Sequence, residues 1–465
     1  MRSAGRPLGG VGGAPGSAGH AVRAPVTARP PAKPRGWDLL LVCVAVYVAT
    51  AVGRVHQLFP ALMSLQPALI SAVLAIGLYV LAQSGPRRVE LLNNRVSVLL
   101  LALTVWMACS VPGALNKGAA YHFLTDNFIK TVLMYVVTAG CIRGFRDVER
   151  MTFAYFASAV VYTAVVLTRF QVTESNWRLA GLYNYDANDF ATFVVSAMPL
   201  GLYFALGGRS LLLRVGAIGG LGALAVGLVR SGSRGGLLAL LVTTCFVLFR
   251  LTTVPAKWRV SGLAIILGLV VATASDRYWT QMQTILNPRE DYNQTSETGR
   301  IQTWQRGVVY MADHPLFGVG ANNFWVAEGT ISPLADRQRY GRAVRWGAAH
   351  NSIVQVGAEL GVPGLLFFVG ILAGTLACLR RVKGTTSSTQ SAPGPPRLAQ
   401  SLTAALVGFL VGAFFLSLAY AEMLYTLVAL AVALEKVTRA RNAHLPLLPR
   451  AGPIGGWPPH PRRTA

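Results

Sequence analysis

The chain has 465 residues, of which 53% are hydrophobic and only 13% charged. A soluble domain carries about 25% charged residues, so the composition excludes an ordinary soluble enzyme and points to a polytopic membrane protein. The formal net charge is +24, but basic residues of membrane proteins collect in cytoplasmic loops, and no nucleic-acid-binding motif accompanies the charge, so no nucleic-acid partner is expected.

Residues 1–36 are mostly Gly, Ala, Pro and Arg and read as a disordered basic cytoplasmic tail. They do not have the form of a signal peptide, because the first apolar run starts too far in. Spanning segments are predicted at Leu39–Gly53, Ala61–Ala82, Val96–Val111, Ala120–Gly140, Met151–Thr168, Asp189–Leu206, Leu211–Val229, Gly235–Thr253 and Val260–Ser275. Three more follow a long polar stretch, at Ser352–Leu379, Leu402–Leu418 and Ala421–Val437, the last two divided only by Tyr420-Ala421-Glu422. The expected fold class is therefore all-α, with about 12 transmembrane helices. Helices 1–9 occupy residues 37–275, a large loop 276–350, helices 10–12 residues 351–437, and a Pro-rich cytoplasmic tail 438–465. The five cysteines lie in or at the ends of apolar runs with no CxxC, and are expected to be buried structural thiols.

The loops set the orientation. With the N-terminus inside, alternate loops carry Arg87, Arg88 and Arg95, then Arg143, Arg146 and Arg150, then Arg209 and Arg214, then Arg250, Lys257 and Arg259, then Arg380, Arg381 and Lys383. The opposite loops at Arg54–Pro60 and Pro112–Ala119 carry one basic residue each. The polar stretch Asp276–Ala349 then lies outside. It holds Arg277, Arg289, Arg300, Arg306, Arg337, Arg339, Arg342 and Arg345 but no lysine. Arginine on the face that topology disfavours needs another reason, and anion binding supplies one.

Four motifs carry the chemistry. Arg230-Ser-Gly-Ser-Arg234-Gly-Gly236 is an outer turn in which Ser231 or Ser233 can cap the next helix, and the helix N-terminus and Arg234 fit phosphate oxygens. Alone it reads equally as a tight turn with snorkelling arginines. Glu297-Thr-Gly-Arg300 precedes a stretch in which Ile301, Trp304, Val308 and Met311 have helical spacing, and Arg306 follows. Alone this is a surface helix with solvated arginines. His314-Pro-Leu-Phe-Gly318-Val-Gly320-Ala-Asn-Asn-Phe324 is a Gly-rich turn expected to pack the loop against the membrane. Ala349-His350-Asn351-Ser352 opens a helix that continues to Glu359-Leu-Gly361-Val-Pro-Gly364. A histidine at a helix mouth titrates near neutrality and can take a proton from a hydroxyl, or it can simply anchor the helix.

In this order the motifs resemble the O-antigen ligase and O-antigen polymerase superfamily, over about Asn188 to Gly364. Arg178-Leu-Ala-Gly-Leu-Tyr-Asn184-Tyr-Asp-Ala-Asn188 is similar to the outer loop that precedes them in the family, with Asp186-Ala187 where a shorter D-P step is frequent. The resemblance implies a GT-C-like bundle in the bacterial inner membrane with a periplasmic active site. It implies transfer of an undecaprenyl-pyrophosphate-linked glycan to a glycan, lipid A-core or protein acceptor. On that reading Arg234 and Arg300 bind the pyrophosphate, and His350 is the catalytic base in an inverting step. Arg178, Arg306 and Arg230 are secondary contacts, and Trp304, Trp325 and Trp346 are available for sugar stacking. Neither metal nor other cofactor is required if arginines neutralise the leaving group. Asp186 and Asp189 then read as helix capping, and Glu290-Asp291 as loop solvation. A transporter or flippase is the alternative, with Asp126 and Lys130 four apart in one span and Glu422 as isolated intramembrane charges. No inverted repeat between the halves supports it.

Overall fold

A computed structural model describes residues 36–82, 93–169, 178–179, 185–207, 210–287, 291–336, 347–384 and 394–443. The basic N-terminal segment through residue 35 and the Pro-rich end from residue 444 lie outside the described residues. So do most of the loop 171–184, Arg289 and Glu290, and residues 337–346 with four arginines of the polar stretch and Trp346.

Among the described residues there is helix and no strand. The longer helices are α1 (Leu39–Tyr47), α2 (Pro67–Ala82), α3 (Arg95–Ser110), α4 (Ile129–Cys141), α5 (Phe145–Arg169), α6 (Ala187–Gly207), α7 (Leu211–Ser231) and α8 (Arg234–Arg250). After α9 (Ala256–Thr273) come α10 (Asp276–Gln283), α11 (Arg300–Asp313) and α12 (Phe324–Thr330), all within the polar stretch. The chain then forms α13 (Ser352–Lys383), α14 (Pro395–Ala413) and α15 (Glu422–Ala443). Helix covers each predicted apolar segment, and eight of the described helices are long and apolar enough to cross a membrane. The last two segments are separate helices, broken at residues 414–421.

Helix α6 is the central strut and packs against α5, α7, α8 and α14. Lipid is as apolar as the side chains, so packing rather than water exclusion holds such helices together, and small residues bring their backbones close. A Cβ on Gly412 of α14 would lie 2.3 Å from Thr192 Oγ1 of α6, and one on Gly236 of α8 would lie 2.6 Å from Ala191 Cβ. Two cysteines depart from expectation: Cys109 and Cys245 are exposed, while Cys43, Cys141 and Cys378 are buried.

The feature that positions the site is a break inside α13. Gly361 has φ 67° and ψ −171°, and Pro363 has no N–H, so the carbonyls of residues 358–360 lose their helical partners. Other donors take their place. Val319 N–H donates to Ala358 O at 2.8 Å, Gly320 N–H to Glu359 O at 3.0 Å, and Trp106 Nε1–H to Leu360 O at 3.0 Å. In return Val362 N–H donates to Pro315 O at 2.8 Å. The Gly-rich turn therefore packs into the helix break, and the E-L-G-V-P-G and F-G-V-G motifs form one interlock. Neither glycine there tolerates a side chain: a Cβ on Gly361 would lie 2.4 Å from Leu316 O, and one on Gly318 2.4 Å from Ala358 O.

Helix α11 exists as predicted, but with a different inner face. Thr303, Gly307 and Tyr310 are buried, while Ile301 and Val308 are exposed. Apolar spacing misled because the contact with α13 is set by closeness: a Cβ on Gly307 would lie 2.3 Å from Val354 Cγ1.

Gly361→Ala should lower stability by about 2 kcal/mol or more, from positive-φ strain plus a backbone clash. The check is the thermal midpoint in detergent, with Gly268→Ala as control because a Cβ there meets nothing within 4 Å.

Candidate functional site

The α7–α8 turn is built as a helix stop followed at once by a helix start. Gly232 takes the left-handed conformation that ends α7 (φ 57°), and Ser233 caps α8 by accepting Gly236 N–H at 3.1 Å. Of the two serines expected as caps, Ser233 is the one used; Ser231 Oγ donates back to Leu228 O at 2.6 Å. Asn188, at the start of α6, ties the turn down. Its Oδ1 accepts Ser233 Oγ–H at 2.8 Å and Arg178 N–H at 3.2 Å. Arg178 Nε–H also donates to Ser231 O at 3.0 Å, so this arginine braces the turn. Arg230 gives its carbonyl to Leu179 N–H at 3.1 Å, and its side chain is exposed. Asp186 caps α6 as expected, accepting the N–H groups of Asn188 and Asp189, each at 2.7 Å.

Arg234 has a carboxylate partner. Its guanidinium lies 2.9 Å from Asp291 Oδ2, donates to Asp291 Oδ1 at 3.1 Å, and donates to Thr284 Oγ1 at 2.7 Å. Asp291 is thus a specific counter-ion and not the solvated loop residue the sequence suggested. Burial pulls its carboxyl up, but the Asn293 N–H and the Arg234 guanidinium outweigh this and hold it below the ordinary value of 3.8.

Arg300 opens α11 and lines a small cavity with Asn188, Ser233, Gly235, Gly236 and Leu416. The cavity is about 10 Å³, room for one water. Arg300 and the serine-glycine turn, far apart in sequence, are therefore neighbours. Arg306 points elsewhere. It forks onto Glu328 at 2.8 Å (Nε to Oε1) and 2.6 Å (NH2 to Oε2), and also donates to Glu297 O at 3.0 Å. Tyr310 O–H donates to the same carboxylate at 2.8 Å. Burial lowers the Arg306 pKa, but Glu328 more than reverses this, and the net shift is upward.

His350 sits in the left-handed region (φ 46°), a costly place for a non-glycine residue. Its surroundings hold it there. His350 N–H donates to Ser417 Oγ at 2.9 Å, and its carbonyl accepts Trp304 Nε1–H at 3.3 Å. Asn351 then caps α13 by accepting Ile353 N–H at 2.9 Å and Val354 N–H at 3.1 Å. Ser352 Oγ–H donates to Leu416 O at 2.8 Å and accepts Leu418 N–H at 2.9 Å. The H-N-S motif is thus docked on the break between α14 and α15. Trp304 belongs to this joint and is not an open stacking surface: its ring meets Phe414 edge-on with centroids 5.4 Å apart.

A second, larger cavity of about 300 Å³ was not anticipated. Arg54, Asn322, Trp325, Glu359, Tyr420 and Glu422 contribute to its wall, as do Ala348 and Ala349 just before His350. Glu422, read from sequence as an isolated charge, is paired with Arg54 at 3.2 Å. Asp126, another of the charges considered for transport, lies 3.1 Å from His122 Nδ1 with both side chains largely exposed.

Residues 219–369 match the family model described as O-antigen ligase, which supports the O-antigen ligase and polymerase superfamily. No curated protein matches the chain at significance. The matched segment runs from α7 to the middle of α13 and includes Arg234, Arg300 and His350. It supports glycosyl transfer of the O-antigen ligase or polymerase type, in a membrane, on glycan and lipid-linked substrates.

The Arg234–Asp291 pair predicts a pH dependence with a definite sign. The folded Asp291 pKa lies below the unfolded one, so the pair contributes fully above about pH 5 and is lost as pH falls through the folded value. Limited proteolysis of the 276–300 segment should accelerate below about pH 4. Asp291→Asn should show the acid-state rate already at neutral pH.

Proposed function

We propose that this chain transfers a glycan from undecaprenyl pyrophosphate to an acceptor hydroxyl, as an inverting, metal-independent glycosyltransferase of the bacterial inner membrane. The accompanying topology is about twelve spans in a GT-C-like bundle with both ends inside and Asp276–Ala349 periplasmic. The acceptor is another glycan, lipid A-core or a protein.

One observation carries this reading. Arg300 and the Ser233–Gly236 turn line a common cavity with Leu416, and the next residue, Ser417, accepts the backbone N–H of His350. The wall that holds Arg300 and the backbone of His350 thus flank a single short segment.

The reaction needs three things of these residues. The acceptor hydroxyl gives its proton to the His350 ring as its oxygen attacks the anomeric carbon. The bond from that carbon to the pyrophosphate oxygen breaks on the opposite face, which inverts the configuration. The diphosphate departs with the bonding pair, and guanidinium groups at 300 and 234 stabilise the charge that grows on it. The resting geometry adds a requirement. The cavity at Arg300 is water-sized and Arg234 is engaged by Asp291, so the donor must displace Asp291 and open the wall. A carboxylate and a phosphate present the same paired oxygens to a guanidinium, so the exchange replaces like with like. Arg178 acts by bracing the turn.

Replacing His350, Arg300 or Arg234 by Ala should reduce transfer from a lipid-pyrophosphate donor by about 10²-fold or more in reconstituted protein. Near-normal turnover in His350→Ala removes it as the base. Activity should also survive excess chelator. A loss restored only by a divalent ion would overturn the arginine account.

A further inference from the structure

We propose that the larger cavity is the acceptor subsite, and that it takes an uncharged, hydroxyl-rich sugar through Glu359, Asn322 and Trp325. The proposal rests on the glycosyl-transfer reading and extends it to the second substrate.

Charge comes first. The ionisable residues that line this cavity are Arg54, Glu359 and Glu422, and Arg54 is already neutralised by Glu422 at 3.2 Å. The one arginine on this wall thus already has its counter-ion, so the cavity offers a diphosphate little positive charge, while a polyol finds hydrogen-bonding partners. The cavity at Arg300 has the opposite balance. Two neighbouring cavities thus divide the two substrates by charge.

The second observation is an unmet hydrogen bond. Glu359 is 2% exposed. Its Oε1 accepts Phe324 N–H at 3.3 Å, while Oε2 is buried with no hydrogen-bond partner among the described residues. The Tyr420 hydroxyl, on the same wall, is buried close to this carboxyl group and likewise makes no hydrogen bond of good geometry. Buried polar groups left without partners are uncommon and costly, and a ligand hydroxyl would satisfy both. Asn322 and Gln355 add amide groups to the wall, and Trp325 adds an aromatic face. Polar groups that fix orientation beside an aromatic surface suit a sugar ring, which has hydroxyls at its edge and C–H groups on its face. The volume, about 300 Å³, falls at the lower end of ligand pockets.

The third is position. Ala348 and Ala349 line this cavity directly before His350, and Ser417 lines it directly after Leu416, which lines the other. The backbone of His350 thus adjoins the cavity proposed for the acceptor, whose hydroxyl must lose a proton.

The test uses the full chain in nanodiscs and two probes: undecaprenyl pyrophosphate, which carries no sugar, and the delipidated oligosaccharide released from the host envelope by mild acid. Glu359→Gln should weaken oligosaccharide binding about tenfold or more and leave the lipid pyrophosphate unchanged. Arg300→Ala should do the reverse. Trp325→Ala should weaken the oligosaccharide likewise, and gives a second arm if Glu359→Gln fails to fold. Unaltered oligosaccharide binding in Trp325→Ala, or in a folded Glu359→Gln, overturns the assignment, as does an equal loss of both probes. If wild-type protein binds the oligosaccharide at this cavity but not the lipid pyrophosphate, the donor reading falls and the sugar site stands.

Discussion

The arrangement depends on three main-chain carbonyls that a helix break leaves without partners. In an unbroken α13, residues 362–364 would bond back to residues 358–360. Gly361 turns the chain and Pro363 has no N–H to give. Each buried carbonyl left unmet costs about 1–3 kcal/mol, so the break is tolerable only if donors arrive from elsewhere. They arrive from the Gly-rich turn and from Trp106 of α3. The same turn is fixed from another side, where Asn323 Oδ1 accepts Asn116 N–H at 2.7 Å and Val319 O accepts Leu115 N–H at 3.0 Å. The polar stretch is therefore bonded into the helices beneath it. That bonding brings the Glu359 carboxylate, at the break, to the same wall as Asn322, at the end of the turn.

A second joint does the same for His350. The break between α14 and α15 exposes backbone groups at residues 416–419. Ser352 and Gln355 answer them, the latter accepting Ala419 N–H at 3.4 Å. The seat of the histidine is thus paid for by hydrogen bonds from both neighbouring elements, which is what holds a strained left-handed residue in place. Two interlocked breaks, one in α13 and one after α14, bracket the region where the two cavities adjoin.

Much of this was legible in the sequence. The apolar runs gave the helices, because periodicity and length are local properties. The resemblance to the O-antigen ligase family was legible too, because the motifs that carry it keep their order along the chain and most of them fall within the matched residues 219–369. What could not be read were pairings across long separations. Arg54 and Glu422 meet over 368 residues, so Glu422 read as an isolated charge and Arg54 as a loop residue. Asp291 resembled loop solvation because its partner lies 57 residues earlier. The buried face of α11 was misjudged because Gly307 contributes no hydrophobic signal, yet it permits the closest approach to α13. Glu359 stood in a quoted motif but had no role, because its significance lies in an unmatched oxygen that only packing reveals.

Those pairings also change the argument from the arginines. Arg234 and Arg306 both have carboxylate partners within the polar stretch, so excess positive charge is not by itself the reason for their presence. What distinguishes them is how each pair is held. Arg306 and Glu328 have side chains 13% and 6% exposed, with Tyr310 and the Glu297 carbonyl completing the set. Separating such a pair strands a buried charge at a cost of about 3–5 kcal/mol, so Arg306 is a structural tie. Arg234 and Asp291 are 16% and 12% exposed, and Asp291 stands immediately before a single turn of helix, Tyr292–Thr295, which it caps by accepting Asn293 N–H at 3.0 Å. The donor exchange proposed above acts on the Arg234–Asp291 pair, which lacks the buried tyrosine hydroxyl that Arg306 and Glu328 share.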